Sequence, residues 1–78
     1  MGKLASISYK DVEYVISKLN FKFLRQKGSH SLFSHVDGRR VIVAIHKGKN
    51  IKEGLAHKII TKEIEISIDE FFRILRGK

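Results

Sequence analysis

The chain has 78 residues, and its 16 lysines and arginines outnumber 8 acidic residues to give a formal net charge of +8. A chain of this length forms one domain, residues 1–78, whose thin core leaves no room for a deep pocket with a cofactor, so we expect none. The absence of cysteine excludes a disulfide framework and a thiolate zinc site. No apolar run approaches the ~20 residues of a bilayer span, and no signal-peptide pattern opens the sequence, so we expect a cytoplasmic protein without a membrane partner.

The positive charge is concentrated in the middle of the sequence. Residues 1–20 carry three basic residues against two acidic ones, and residues 63–78 carry three against four. Residues 21–62 carry ten basic residues against two acidic ones, together with all four histidines. A concentrated positive field attracts polyanions and speeds their encounter. The distribution therefore favours a nucleic-acid partner over a surface that is merely soluble.

The first predicted element is a helix that begins at Ser8. Ser8 and Asp11 form a weak capping box, in which each side chain can bond to the other residue's backbone N–H. Asn20 is expected to end the helix, since asparagine tolerates the left-handed backbone conformation. The apolar face recurs at helical spacing and comprises Val12, Val15, Ile16 and Leu19.

Three strands are predicted next, over residues 21–25, 30–36 and 40–46. Alternation places both phenylalanines of the first strand on the side opposite Lys22 and Leu24. A glycine turn at Gly28 and Ser29 precedes the second strand. The Asp-Gly pair before the third strand is a strong hairpin signal.

The length of the second hairpin loop decides which residue lies opposite His30. With a two-residue loop at Asp37-Gly38, His30 would face Ile45, and His46 would point to the other side of the sheet. With a three-residue loop, His30 would face His46. Both registers keep Val36 in the second strand, and the sequence leaves both open.

A second helix is predicted to begin at Asn50, with Glu53 completing a capping box. Gly54 in its first turn lowers helix propensity by about 1 kcal/mol, which indicates either close packing or a neutral position. The apolar face of this helix would comprise Ile51, Leu55, Ile59 and Ile60.

A last helix is predicted after Ser67, which forms a third capping box with Glu70. Ile64 and Ile66 in the preceding connection are expected to reach the core. The apolar residues of the helix itself are Ile68, Phe71, Phe72 and Leu75. The order αβββα predicts a small α+β sandwich, in which helices cover one face of a three-stranded antiparallel sheet and the other face stays polar and basic.

A histidine beside a phosphate-binding segment suggests RNA cleavage, because RNA supplies its own nucleophile, the 2′-hydroxyl. Histidine suits the proton transfers, since its reference pKa of ~6.5 lies near working pH. Lysines and helix N–H groups suit the charged phosphorane, and no metal is needed. The N–H groups of the helix at Asn50 would bind a phosphate together with Lys47, Lys49 and Lys52.

Metal binding is the competing use of the four histidines, which are His30, His35, His46 and His57. Their separations of 5, 11 and 11 residues match no standard ligand pattern. We therefore expect no metal site, and we assign His35 and His57 to the basic surface without a role.

Four sequence blocks carry a family resemblance: Arg25-Gln26-Lys27-Gly28-Ser29-His30-x-x-Phe33, Asp37-Gly38-Arg39, His46-x-Gly48-Lys49-x-Ile51-Lys52-x-Gly54 and Ile68-Asp69-Glu70-Phe71. In this order and spacing they resemble the HicA family of toxins, from about residue 8 to residue 75. The resemblance implies a double-stranded-RNA-binding-like αβββα fold and metal-independent endoribonuclease activity on mRNA. It also implies a cognate HicB-type antitoxin that covers the active site. The family's catalytic histidine falls on His30.

The resulting hypothesis is a toxin ribonuclease in which His30 acts as general acid or base. Gly28 and Ser29 would shape the loop, and phosphates would be bound by Lys27, His46, Lys47, Lys49 and Lys52. The alternative is a non-catalytic RNA-binding module of the double-stranded-RNA-binding type, which explains the charge and the fold equally well. A third hypothesis is a basic surface for an acidic protein, which agrees with the first because an antitoxin would present acidic or RNA-mimicking groups.

Overall fold

The computed structural model describes residues 6–44 and 50–77. Its elements in chain order are α1 (Tyr9–Lys18), β1 (Lys22–Lys27), β2 (His30–Ser34), β3 (Arg40–Ala44), α2 (Glu53–Lys58), a π-helical segment (Ile59–Ile64) and α3 (Ile68–Arg76). The strands form an open antiparallel sheet in the order β1-β2-β3. The predicted small α+β fold is confirmed. No helix in the described part of the chain is long and apolar enough to cross a membrane.

Helix α1 is capped as the sequence predicts. The Ser8 N–H donates to Asp11 Oδ2 at 3.0 Å, and the Asp11 N–H donates to Ser8 Oγ at 3.3 Å, which completes the capping box. Asn20 takes a φ of 70° beyond the end of the helix and leads the chain toward β1. Residues of α1 share one hydrophobic core with the sheet and α3, including Val12, Val15, Ile16, Val41, Val43 and Phe71.

The two faces of the sheet have different environments. On the face toward the helices, the side chains of β2 and β3 are buried or half-buried: Ser31, Phe33, Val41 and Val43. The opposite face, which we call the outer face, is defined by the cross-strand pairing. It carries Lys22, Arg25, Lys27, His30, Leu32, Ser34, Arg40, Ile42 and Ala44.

Strand β1 contains a bulge between Phe23 and Arg25, which corrects the predicted alternation. Phe23 stays on the core side, whereas Arg25 pairs with Leu32 on the outer face. Leu24 is the extra residue. Regular alternation from Phe23 would have turned Arg25 and Lys27 toward the core side, and the bulge directs both to the outer face.

The loop between β2 and β3 comprises residues 36–38, so both predicted registers are wrong. The His35 N–H donates to the Arg39 carbonyl at 2.9 Å and closes the loop. The glycine in the last loop position takes a φ of 103°, which matches three-residue loops that end in a left-handed residue. β2 therefore ends earlier than predicted, and His30 pairs with Ala44.

The segment before α2 is extended where a helix was predicted. Asn50 forms a bridge with Ser8, and the Ile51 N–H donates to the Ile7 carbonyl at 2.7 Å. Helix α2 begins at Glu53 without a side-chain cap. The predicted N-cap at Asn50 is wrong because this tertiary pairing holds its backbone in an extended conformation.

The apolar face of α2 and the π-helical segment also differs from the prediction. Leu55 is 43% exposed, and a Cβ added at Gly54 would meet no atom within 4 Å, so no close packing requires this glycine. Ile64 is buried and Ile66 packs against the core, as predicted. The buried face comprises Ala56, Ile59, Ile60 and Ile64.

Helix α3 has half of its predicted capping box. Ser67 Oγ accepts from the Glu70 N–H at 3.0 Å. The Glu70 carboxylate accepts from the Arg73 guanidinium instead of completing the box. Phe71 is fully buried, and Phe72 packs beside it.

Candidate functional site

His30 begins β2 directly after a two-residue turn. Gly28 takes a φ of 60° while Ser29 keeps a negative φ, which is the type II′ pattern that joins antiparallel strands tightly. The turn pairs Lys27 with His30 across the two strands. Both side chains are exposed on the outer face, so the Gly-Ser-His block presents its imidazole to solvent.

Cross-strand pairing arranges the outer face in three rows. The first row is Lys27–His30–Ala44, the middle row is Arg25–Leu32–Ile42, and the last row is Lys22–Ser34–Arg40. Each row contains at least one cation and no acidic residue. Neighbouring rows lie about 7 Å apart along β2, which is two strand residues.

An open groove of about 600 Å³ lies over the first and middle rows. Leu32 and Ile42 are the apolar residues of its lining, and Ile42 is 51% exposed. The groove can hold an anion beside the imidazole and an apolar group next to that anion. Its lining comprises Arg25, Lys27, Gly28, His30, Ser31, Leu32 and Ile42.

The cations of the three rows are free to meet a ligand. Within residues 6–44 and 50–77, no salt bridge engages any of them.

The acidic residue Glu63 reaches the free edge of β3, where its Oε1 accepts from the Ile42 N–H at 3.4 Å. Burial, and then the charge of Glu63, raise the pKa of Tyr9 on α1.

His35 has a structural role at the β2–β3 loop. Its side chain is 16% exposed, its ring packs against Phe21 at 5.1 Å, and its Nδ1 accepts from the Asp37 N–H at 3.1 Å. The Arg39 N–H and guanidinium donate to the Asp37 carboxylate, and these bonds, led by the backbone one, lower the pKa of Asp37. Arg39 also donates to the Ile64 carbonyl and joins the loop to the π-helical segment.

A family model described as "HicA toxin of bacterial toxin-antitoxin" matches residues 9–66, well over half of the chain. The chain belongs to the HicA toxin family. The match spans α1, the whole sheet, α2 and the π-helical segment, and it confirms the family resemblance. It contains the first three of the four sequence blocks, and the fourth lies beyond residue 66. No curated protein matches the sequence significantly.

The predicted site residues of this HicA toxin do not all lie together. Lys27, Gly28 and His30 line the groove, with Ser29 beside them in the turn. Lys52 is exposed just before α2 and does not belong to the groove lining. Three further predicted phosphate-binding residues lie outside the described residues: His46, Lys47 and Lys49. In the described segments, no group of three histidine, cysteine or acidic side chains could hold a metal ion.

Sequence reasoning missed the middle row. Leu32 lies between two residues of the core face, so its alternation with Ser31 and Phe33 was a signal for an outward side chain. Arg25 belongs to the first HicA block but received no role. Its outward direction depends on the bulge, for which β1 offers no glycine or other sequence mark.

Proposed function

We propose that this HicA toxin is an endoribonuclease that cleaves mRNA in the cytoplasm without a metal ion, with His30 as its catalytic residue. The observation that carries the proposal is the exposed His30 imidazole in a groove whose charged lining residues are cations. Such a groove attracts the RNA backbone and leaves the imidazole accessible to a bound phosphate.

The chemistry uses the nucleophile that RNA contains. The 2′-oxygen loses its proton and bonds to the adjacent phosphorus, and the bond from phosphorus to the 5′-oxygen breaks. The 5′-oxygen gains a proton, so the products are a 2′,3′-cyclic phosphate and a 5′-hydroxyl. The His30 imidazole moves one of these protons as general base or general acid.

Cations next to His30 stabilise the negative charge that develops on the phosphorane. Lys27 is the cross-strand partner of His30, and Arg25 lines the same groove. Gly28 and Ser29 shape the turn that places Lys27 opposite the imidazole. We further assign phosphate binding to His46, Lys49 and Lys52, which stand at family-block positions, and to Lys47, a neighbouring cation in the same segment.

As a HicA toxin, the chain has a cognate antitoxin partner. We propose that a HicB-type antitoxin covers the groove and presents acidic groups to the unpaired cations of the three rows. This arrangement would neutralise the toxin by occupying the same surface as RNA. Addition of the purified antitoxin should then protect RNA from cleavage at equimolar concentration, and an antitoxin that binds without protecting RNA would contradict the proposal.

The deciding experiment compares three proteins on a labelled single-stranded RNA in excess EDTA: the native chain, His30→Ala and His57→Ala. His57 is an exposed histidine on α2 and serves as the matched control. We expect the native chain and His57→Ala to leave 2′,3′-cyclic phosphate and 5′-hydroxyl ends, and His30→Ala to leave the RNA intact while keeping its melting temperature. RNA that all three proteins bind but leave uncut would establish the non-catalytic binding module instead.

A further inference from the structure

We propose that the middle row of the outer face, Arg25–Leu32–Ile42, binds one nucleobase of single-stranded RNA next to the phosphate held at His30. This inference rests on the proposed function, which puts a phosphate of the substrate at the first row. It adds a contact that selects the class of RNA, and it gives a role to Leu32 and Ile42 and a second role to Arg25.

The middle row has the shape of a small apolar platform beside the reacting group. Leu32 pairs with Arg25 on one side and with Ile42 on the other, so the three side chains form one line across the sheet. The Ile42 backbone is held at the sheet edge by the Glu63 carboxylate, which accepts its N–H. The row lies about 7 Å from His30 along β2, roughly the reach of one ribose.

Charge favours RNA as the occupant of this platform. The apolar side chains lie between Lys27 of the first row and the two cations of the last row, Lys22 and Arg40. This alternation of cations and apolar side chains matches an RNA strand, in which charged phosphates alternate with uncharged bases. Arg25 can also place its planar guanidinium against the base, a contact that arginine commonly makes with unstacked bases.

Contact through the face of a base requires a base that is not already stacked. In a duplex the base faces are covered by their neighbours, and the minor groove of an A-form helix presents base edges and 2′-hydroxyls. The platform therefore selects single-stranded segments. Since Leu32 and Ile42 offer no side-chain hydrogen bond, the contact accepts any base, as stacking contacts generally do.

The test uses two 2′-O-methyl oligomers of equal length, an oligouridylate and an abasic chain. Both keep their phosphates, and neither can be cleaved, because the nucleophile is blocked. Fluorescence anisotropy gives the Kd of each oligomer for the native chain, Ile42→Ala, Ile42→Thr and Leu55→Ala. Threonine keeps the β-branched shape that suits a strand, and Leu55 is a partly exposed apolar residue outside the groove.

We expect the native chain to bind the base-bearing oligomer about fivefold more tightly than the abasic one. Both Ile42 variants should lose most of this preference while binding the abasic chain unchanged, and Leu55→Ala should keep it. Arg25→Lys retains the charge but loses the planar group, so it should also lower the preference.

Equal affinity of the native chain for the two oligomers would overturn the inference, even if the chain cleaves RNA through His30. A preference that depends on Ile42, in a chain that cleaves nothing, would support the subsite and overturn the proposed ribonuclease. If Ile42→Ala weakens only the binding of the antitoxin, the platform is a protein contact and the inference is wrong.

Discussion

The β1–β2 turn and the β2–β3 loop each combine a glycine at positive φ with a nearby histidine, but they treat the two histidines differently. In the β2–β3 loop, His35 packs on Phe21 and accepts from the Asp37 N–H, and Arg39 joins the loop to the π-helical segment. In the β1–β2 turn, one side-chain bond runs from Gln26 Nε2 to the Gly28 carbonyl. Among the described residues, the His30 imidazole has no hydrogen-bond partner.

The two histidines differ in their partners because one holds a loop and the other is proposed to transfer a proton. Polar groups that hold a loop together bond to one another, as His35, Asp37 and Arg39 do here. A group that transfers a proton to a ligand must instead keep at least one proton-accepting or proton-donating atom within reach of that ligand. Residue type alone does not distinguish His30 from His35, whereas their partners do.

The largest expected effect comes from replacing each of the two histidines with alanine in a separate variant. His30→Ala should lower RNA cleavage by a factor of about 10²–10⁴, the usual contribution of general acid–base catalysis, without changing the melting temperature. His35→Ala should leave the cleavage rate of the folded protein unchanged and lower stability by about 1–2 kcal/mol, since it removes the contact with Phe21 and the bond to Asp37. Single-turnover cleavage and thermal melting of both variants check this, and a stable but inactive His35→Ala would remove the distinction.

A second prediction concerns the backbone of the β1–β2 turn. Gly28→Ala should destabilise the protein by about 1–2 kcal/mol, because its φ of 60° is unfavourable for a residue with a Cβ. Gly54→Ala is the control, since a Cβ there meets no atom within 4 Å and alanine favours the helix by about 1 kcal/mol. Urea unfolding of both variants should give changes of opposite sign, and a neutral Gly28→Ala would show that the turn tolerates another conformation.

A third prediction sharpens the role of the cation opposite His30. Lys27→Gln should weaken binding to RNA about threefold to fivefold, equally for different sequences. It should also reduce the slope of log affinity against log salt concentration by about the amount that one phosphate contact contributes. Lys10→Gln removes the same charge from α1, outside the groove lining. It should change the RNA affinity and its salt slope less. Salt titrations of oligonucleotide affinity measure the two slopes, and equal effects would mean that only the net charge matters.

The smallest effect concerns the carboxylate of the engaged loop. Because folding lowers the pKa of Asp37, its ionised form contributes stability that is fully present above the ordinary value of 3.8 and is lost as the pH falls through the lower folded value. Asp37→Asn should therefore melt slightly lower at neutral pH and converge with the native chain in strong acid. Melting curves across this range test the sign, and a constant difference would assign the effect to the hydrogen bonds alone.

Local sequence signals predicted the parts of the fold that local chemistry determines. Ser8 and Asp11 cap α1, Asn20 adopts the left-handed conformation, and the glycine turn before His30 forms as expected. These features depend on neighbours within a few residues, so the sequence contains the information directly.

The missed features are those that residue type alone leaves open, and one of them depends on a contact between distant parts of the chain. Asn50 is a suitable N-cap by type, but its pairing with Ser8 keeps it extended. The bulge at Leu24 allows Phe23 to share a sheet face with Phe33 while Arg25 lies on the outer face. The second loop was misjudged because an Asp-Gly pair is compatible with several loop lengths, and here its glycine takes the last position of a three-residue loop.

The bulged strand β1 also affects how copies of the toxin behave at high concentration. It forms an outer edge of the sheet, and a straight apolar edge strand invites another chain to pair with it and begin a fibril. The bulge interrupts the regular edge, and Lys22, Arg25 and Lys27 place like charges along it. The same cations that would attract RNA thus repel a second copy, which favours a protein that stays dispersed when no partner covers it.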